Sequence, residues 1–319
     1  MFARLILSKF LLVWFGLVWF GLVWAGETIE EILDDDRYTD EYVEAYFGEY
    51  LSVIKEQPKP GDRLNLDVGE FEVVSKLGEG WEAYVYEVAP VSNPGERMAL
   101  KLPKLEKNDY EHLRDYVKAQ KILQQVNDEH VIKLMYPESK LMIMEKADGS
   151  LRSLSKLAAT SEEAKILFKR VMKNVIDAME YLYTNEIEFY DLQIDNIVYF
   201  VKGNQVKFKL IDIGISDYNS EGVANPRLME ELKGLIQECH KELSETLALE
   251  NADTLIEQIK EAKTPEQLKN ILGIDQEELS VQEQIAERVL VEKIKQITQA
   301  SGGNLDDTLQ QPSSSADCR

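Results

Sequence analysis

Phe189-Tyr190-Asp191-Leu192-Gln193-Ile194-Asp195-Asn196-Ile197-Val198 is the stretch on which the reading of this chain turns. It sets a carboxylate, Asp191, and an amide, Asn196, five residues apart between apolar neighbours. Two runs rich in β-branched and aromatic residues follow, NIVYFV and VKFKLIDI, separated by Lys202-Gly203-Asn204-Gln205. Alternating runs around a Gly-Asn pair predict a β-hairpin. The hairpin ends in Leu210-Ile211-Asp212-Ile213-Gly214, sixteen residues after Asn196. Taken alone, a carboxylate between an apolar strand and a glycine is often only a turn.

Working outward, EFEVVSKL (70–77), AYVYEVAP (83–90) and RMALKLP (97–103) predict successive antiparallel strands. A helix is expected over about 108–126, then strands near 131–136 and 140–145, then helices over 150–157 and 161–185. Residues 227–299 keep a helical period, broken near 250, 263 and 274. Further towards the N-terminus, Tyr42, Val43, Tyr46, Phe47, Tyr50 and Ile54 recur at spacings of three and four. They predict an amphipathic helix over 39–55, ended by QPKPGDR (57–63). Such a stripe is ordinarily core packing.

With the order of elements set, the motifs acquire a frame. Leu77-Gly78-Glu79-Gly80-Trp81-Glu82-Ala83-Tyr84-Val85-Tyr86 resembles the glycine-rich loop of protein kinases, with Ala83 at the third glycine. Met98-Ala99-Leu100-Lys101 is similar to the family's V-A-I-K strand, the segment from Phe189 to its H-R-D-L-x-x-x-N loop, and Asp212-Ile213-Gly214 to its D-F-G. The resemblance covers residues 71–217, and its motifs stand in family order and spacing. It implies an α+β, two-lobed protein-kinase-like fold with a small antiparallel β N-lobe and a reduced, helical C-lobe. It also implies ATP and Mg2+. Asp191 would accept the substrate hydroxyl proton, Lys101 would anchor phosphate, and Asn196 and Asp212 would hold metal. Gly78 and Gly80 let backbone approach the phosphates. Val85 and Ala99 would sandwich adenine, Met144 would be the gatekeeper, and the backbone of Glu145 to Ala147 would meet the base.

Four departures from the family pattern bear on activity. Ala119 stands where the helix glutamate that pairs the strand lysine is expected; Asp115 or Glu111 could substitute, and Gln120 could offer a neutral hydrogen bond. Phe189-Tyr190 replaces His-Arg. Because the family arginine reads an activation-loop phosphate, activity is expected not to depend on that phosphate. Gln193 replaces the lysine that touches the γ-phosphate. No A-P-E or D-x-W-x-x-G segment follows, so the activation segment is very short, as in the minimal effector kinases of bacteria. The implied function is an ATP- and Mg-dependent protein kinase acting on a Ser/Thr hydroxyl. The alternative is a pseudokinase or nucleotide-binding scaffold acting through protein–protein contacts, which Ala119, Gln193 and the helical extension support.

Composition restricts partners. The net charge of −22 over 319 residues repels phosphate backbones and argues against nucleic acid. The two cysteines and three histidines are scattered, which argues against a disulfide framework and a zinc site. Arg4 and Lys9 precede an apolar run, Phe10 to Ala25, built as FLLVW, FGLVW, FGLVW, with acidic sequence after it. Residues 1–26 therefore predict a signal peptide, or a signal anchor if uncleaved, and export from the cytoplasm. Membrane contact is expected only through residues 10–25 of an uncleaved segment. The absence of an Asn-X-Ser/Thr sequon fits a bacterial source. The expected organisation is 1–26 leader, 27–66 acidic segment and amphipathic helix, 67–250 kinase-like domain, 251–299 helical extension on the C-lobe, and 300–319 disordered tail. Little ATP is found in a periplasm, so the expectation is a host-directed secreted enzyme with a protein substrate.

Overall fold

A computed structural model describes residues 28, 31–32, 37–105, 110–158, 160–187, 189, 191–213, 226–243, 252–274 and 280–300. The predicted leader, most of the acidic segment, Tyr190, Gly214 and the tail beyond residue 300 lie outside the described residues.

The N-terminal lobe is a five-stranded antiparallel sheet in sequence order: β1 (Arg63–Leu66), β2 (Gly69–Glu79), β3 (Ala83–Pro90), β4 (Met98–Pro103) and β5 (Met142–Glu145). Its register decides which residues share a face. Val85 lies opposite Lys101, Lys101 opposite Met142, and Ala99 opposite Met144. Directly paired residues project to one side, so Val85, Ala99, Lys101, Met142 and Met144 line a single face. Tyr86, Leu100 and Leu102 alternate to the other side and are buried with α3 (Glu111–Gln125). Tyr116 of α3 donates its hydroxyl to the Lys101 carbonyl at 2.8 Å, tying helix to strand.

The predicted helix over 39–55 is two helices, α1 (Asp40–Phe47) and α2 (Leu51–Glu56). Thr39 caps α1 by accepting the Tyr42 N–H at 3.2 Å. The turn at 48–50 brings the Tyr50 hydroxyl to the Asp67 N–H at 2.8 Å. The stripe packs inward onto α3, with the Phe47 and Tyr116 rings 5.7 Å apart at 66°. Tyr46 Oη donates to Gln120 Oε1 at 3.2 Å, and Asp40 pairs with Arg114.

The strand predicted near 131–136 is instead a connector shared by both sheets. Val131 bridges Leu210 and Leu134 bridges Met144. Ile132 donates to the Leu210 carbonyl at 2.9 Å and Met135 to the Ile143 carbonyl at 2.7 Å. Backbone bonds divided between two sheets cannot extend one ladder.

The second lobe has a three-stranded sheet, β6 (Gly149–Ser150), β7 (Ile197–Lys202) and β8 (Gln205–Leu210), with helices around it. α4 (Leu151–Ser155) follows β6 at once. α5 (Ser161–Thr184) is the central helix, opened by a capping box between Thr160 and Glu163. Its Val171, Met172, Val175, Ile176 and Met179 are buried, and its Asn174 Oδ1 accepts the Phe208 N–H at 3.0 Å. α6 (Pro226–Leu243), α7 (Ala252–Glu261), α8 (Pro265–Leu272) and α9 (Val281–Ala300) follow. α8 has Thr264 as N-cap, Pro265 in its first turn and Gly273 at φ +65° as its left-handed terminus. α9 lies along α5 and buries Leu290, Val291 and Ile294 in the common core.

Candidate active site

The residues singled out in the sequence meet between the lobes through one chain of hydrogen bonds. The Lys101 ammonium of β4 pairs with Asp212 Oδ1. The N–H of Ile211, next to Asp212, donates to the Asn196 carbonyl at 3.0 Å. Asn196 Nδ2 then donates to the Asp191 carbonyl at 2.8 Å and to Asp191 Oδ2 at 2.7 Å. Gln193 Nε2 stands 2.9 Å from each Asp191 carboxylate oxygen. Lys101 is 14% exposed and Asp212 50%, so the cation is mostly covered and the carboxylate is half open to solvent.

Local structure explains each placement. Asn196 ends a 3-10 turn, Ile194–Asn196, that feeds directly into β7. Asp212 lies just beyond β8, and the β7–β8 pairing sets Ile197 opposite Leu210. The hairpin therefore returns Asp212 to the loop it left. Asp212 adopts φ +56°, a left-handed conformation that Asp tolerates better than most residues. Phe189 is fully buried, so the residue in the histidine position anchors the loop through packing.

The glycine-rich loop lies over the end of β2 and the start of β3. A Cβ added at Gly78 would meet no heavy atom within 4 Å, and one at Gly80 only the Ala83 carbonyl oxygen at 3.8 Å. The fold itself therefore does not require glycine at either position, and the space suits close approach of a ligand to backbone. Lys104 holds the loop by donating to Glu79 at 2.7 Å and to the Gly80 carbonyl at 2.8 Å. Bonds from Lys104 and then Lys76 hold the Glu79 carboxyl down at about 2. Trp81 at the tip is 84% exposed.

Val85, Ala99 and Met144 share the cleft face of the sheet with Lys101, and Ala99 and Met144 are buried. Glu145 and Ala147 are half-buried on the connection between lobes. The Glu145 N–H donates to the Lys133 carbonyl at 3.0 Å.

Two bonds of the site, those of Glu145 and of Glu238, were not singled out from sequence, and the hydrogen bond expected of Gln120 goes elsewhere. Glu145 forms a largely buried ion pair with Lys209 and accepts the Lys133 N–H at 3.0 Å. Gln120, completely buried, is held by Tyr46 and the Ser139 carbonyl rather than by Lys101. The Ile194 N–H donates to Glu238 on α6 at 3.0 Å. Each joins residues far apart in the chain, where local spacing gives no signal.

Asn196 and Asp212 suit magnesium. Asn196 spends its amide nitrogen on Asp191, leaving its side-chain oxygen as the donor for a hard cation, and Asp212 adds a half-exposed carboxylate. Among the described residues no cluster of three or more His, Cys, Asp and Glu could cage a metal. Magnesium is typically held by one or two carboxylates together with substrate phosphate and water.

The sequence profile of the protein kinase domain family (Pkinase) matches residues 71–234. The chain is 28% identical over 175 residues to a Danio rerio protein named serine/threonine-protein kinase 10, covering 53% of this chain and 17% of that protein. It is 24% identical over 171 residues to serine/threonine-protein kinase fray1 of Dictyostelium discoideum, covering 52% and 28%. The chain thus spans less than a third of the length of these curated relatives. Among solved structures, the crystal structure of the BubR1 kinase domain superposes with a TM-score of 0.53 at 14% identity. That match covers 82% of this chain and 98% of the other.

Proposed function

Since this chain belongs to the protein kinase domain family, we propose that it is an active, ATP- and Mg-dependent kinase that phosphorylates a Ser or Thr hydroxyl of a protein. The observation that carries this reading is the continuous bonding of Lys101, Asp212, Asn196 and Asp191 across one cleft.

In this reading adenine would lie between Val85 and Ala99, with Met144 as the gatekeeper and the backbone of Glu145 to Ala147 meeting the base. Gly78 and Gly80 let the loop amides approach the phosphates, and Lys101 neutralises phosphate charge. Asn196 and Asp212 would hold magnesium, which would supply charge stabilisation at the phosphates. Asp191 accepts the proton of the acceptor hydroxyl as its oxygen attacks the γ-phosphorus. The bond from that phosphorus to the β–γ bridging oxygen breaks, leaving ADP. Gln193 aligns the Asp191 carboxylate, the role its two 2.9 Å contacts support. As a neutral group, it adds no positive charge at the phosphoryl group.

The decisive experiment measures phosphate transfer from radiolabelled ATP to the chain itself or to a generic basic acceptor, using protein without residues 1–26. Wild type transfers. Asp191→Ala loses activity by about 100-fold or more while still binding ATP. Asp212→Ala loses transfer and the magnesium dependence of binding. Nucleotide binding without transfer in the wild type would favour the scaffold reading.

We extend the proposal to the N-terminus: residues 1–26 direct export, and the enzyme works where ATP is available, in a host cell or lumen. The apolar run from Phe10 to Ala25, followed by acidic sequence, supports this. Sequencing the N-terminus of secreted protein checks it, and mature protein found solely in a bacterial periplasm would argue against it.

A further inference from the structure

The loop carrying Asp191 and Asn196 makes polar bonds that the transfer does not use. The Ile194 N–H donates to Glu238 Oε2 at 3.0 Å. Glu238 belongs to α6. Asp195, also on the loop, accepts two bonds from one edge of the Arg152 guanidinium of α4, with Nη2 2.9 Å from Oδ2 and Nε on Oδ1. The same guanidinium lies 3.5 Å from Glu238 and 3.6 Å from Glu242.

We propose that Arg152 and Glu238 are positioning residues that brace the 191–196 loop from outside the cleft, so that Asp191 and Asn196 hold their geometry with no phosphate on the segment that follows. This rests on the phosphotransferase reading. The charge arrangement explains why both residues are needed. Asp195, Glu238 and Glu242 converge on one cation, so removing Arg152 leaves three carboxylates to repel one another beside the loop. A lysine restores the charge but not the planar fork that meets Asp195 with two bonds. Glu238 acts differently: it accepts a backbone N–H, and a glutamine oxygen accepts it equally well. The chain has Phe189-Tyr190 where the family has His-Arg, so the loop lacks the family's arginine and takes its support from α4 and α6 instead.

Residue-resolved amide exchange and steady-state transfer assays test the brace. In Glu238→Ala, exchange at Ile194 rises about tenfold or more, exchange in β4 stays unchanged, and kcat falls about tenfold with KM for ATP within about twofold. Glu238→Gln keeps exchange and kcat near wild type. Arg152→Met lowers kcat in the same way, and Arg152→Lys falls between. Wild-type exchange at Ile194 together with wild-type kcat in Glu238→Ala and Arg152→Met overturns the proposal. If those two variants melt below the assay temperature, the contrast of Glu238→Gln with Arg152→Lys decides: equal values overturn it. A wild-type chain without transfer sinks the phosphotransferase reading and the catalytic consequence of the brace. Exchange at Ile194 still decides the brace itself.

Discussion

Lys101 and Asp212, 111 residues apart, form an ion pair across the cleft. The pair joins the N-terminal sheet to the strand end of the second lobe, and it brings a phosphate-seeking cation beside a metal-seeking carboxylate. Removing either partner therefore disturbs two functions together. Lys101→Met is expected to weaken ATP binding about tenfold and to lower transfer at least as much. Asp212→Asn keeps a residue that tolerates φ +56°, so it should fold normally while losing about 100-fold or more in transfer. Thermal melts separate the two causes: an Asp212→Asn melt far below wild type would mean that the carboxylate serves stability first.

The N-terminal helices act as a fixed support for α3. Phe47 is completely buried against Tyr116, whose hydroxyl reaches the carbonyl of Lys101. Phe47→Ala is expected to cost about 3–5 kcal/mol in denaturant unfolding, the range for an aromatic side chain deleted from a core. Tyr50→Phe removes the acceptor for the Asp67 N–H and should cost about 1 kcal/mol. A wild-type midpoint for Phe47→Ala would show that α1 is detachable from the lobe.

Legibility followed sequence separation. That Asp191, Asn196 and Asp212 lie together was readable because a loop and one hairpin fix their relation, and the placing of Gly78, Gly80 and Lys101 on neighbouring strands because β2, β3 and β4 follow one another in the sheet. The two-lobed fold was implied by the resemblance of the motifs to protein kinases, and protein kinase domain similarity over 71–234 agrees with it. The Glu145–Lys209 pair spans 64 residues and the Ile194–Glu238 bond spans 44, and neither leaves a periodic trace. The residues near 131–136 read as a strand because they are apolar. The backbone there serves two sheets, a tertiary condition that composition does not encode. Gln120 looked free to serve Lys101 until Tyr46 and the Ser139 carbonyl claimed it.

The Glu145–Lys209 pair should be structural in a specific way. Lys209 is 8% exposed and lies three residues before Asp212, while Glu145 opens the connection between lobes. Truncating one partner strands a buried charge, so Lys209→Met is expected to cost about 3–5 kcal/mol. The double change Lys209→Met with Glu145→Leu should recover much of that loss, because no unpaired charge remains. Unfolding free energies for the two single variants and the double variant form the test cycle. Strict additivity would show that the two groups do not depend on each other.

Among the described residues, three ion pairs fasten α9 to α5: Lys169 with Glu283 at 2.6 Å, Arg170 with Glu287 at 3.0 Å and Lys293 with Glu163 at 2.5 Å. Burial alone would raise the Glu283 carboxyl, but bonds from Lys169 and from the Ser280 hydroxyl and N–H outweigh it and hold it at about 2, against an ordinary 4.5. The folded value is the lower one, so the folded state binds this proton less readily than the unfolded chain does. The stabilisation is complete above pH 4.5 and is lost as pH falls towards 2. Glu283→Gln should therefore cost about 1 kcal/mol at neutral pH, as a partly exposed pair does, and its stability should decline less than wild type through that window. Unfolding measured at several pH values on both proteins is the check. Parallel curves would mean that Lys169 contributes nothing through Glu283, and that α9 is held by Leu290, Val291, Ile294 and the other two pairs.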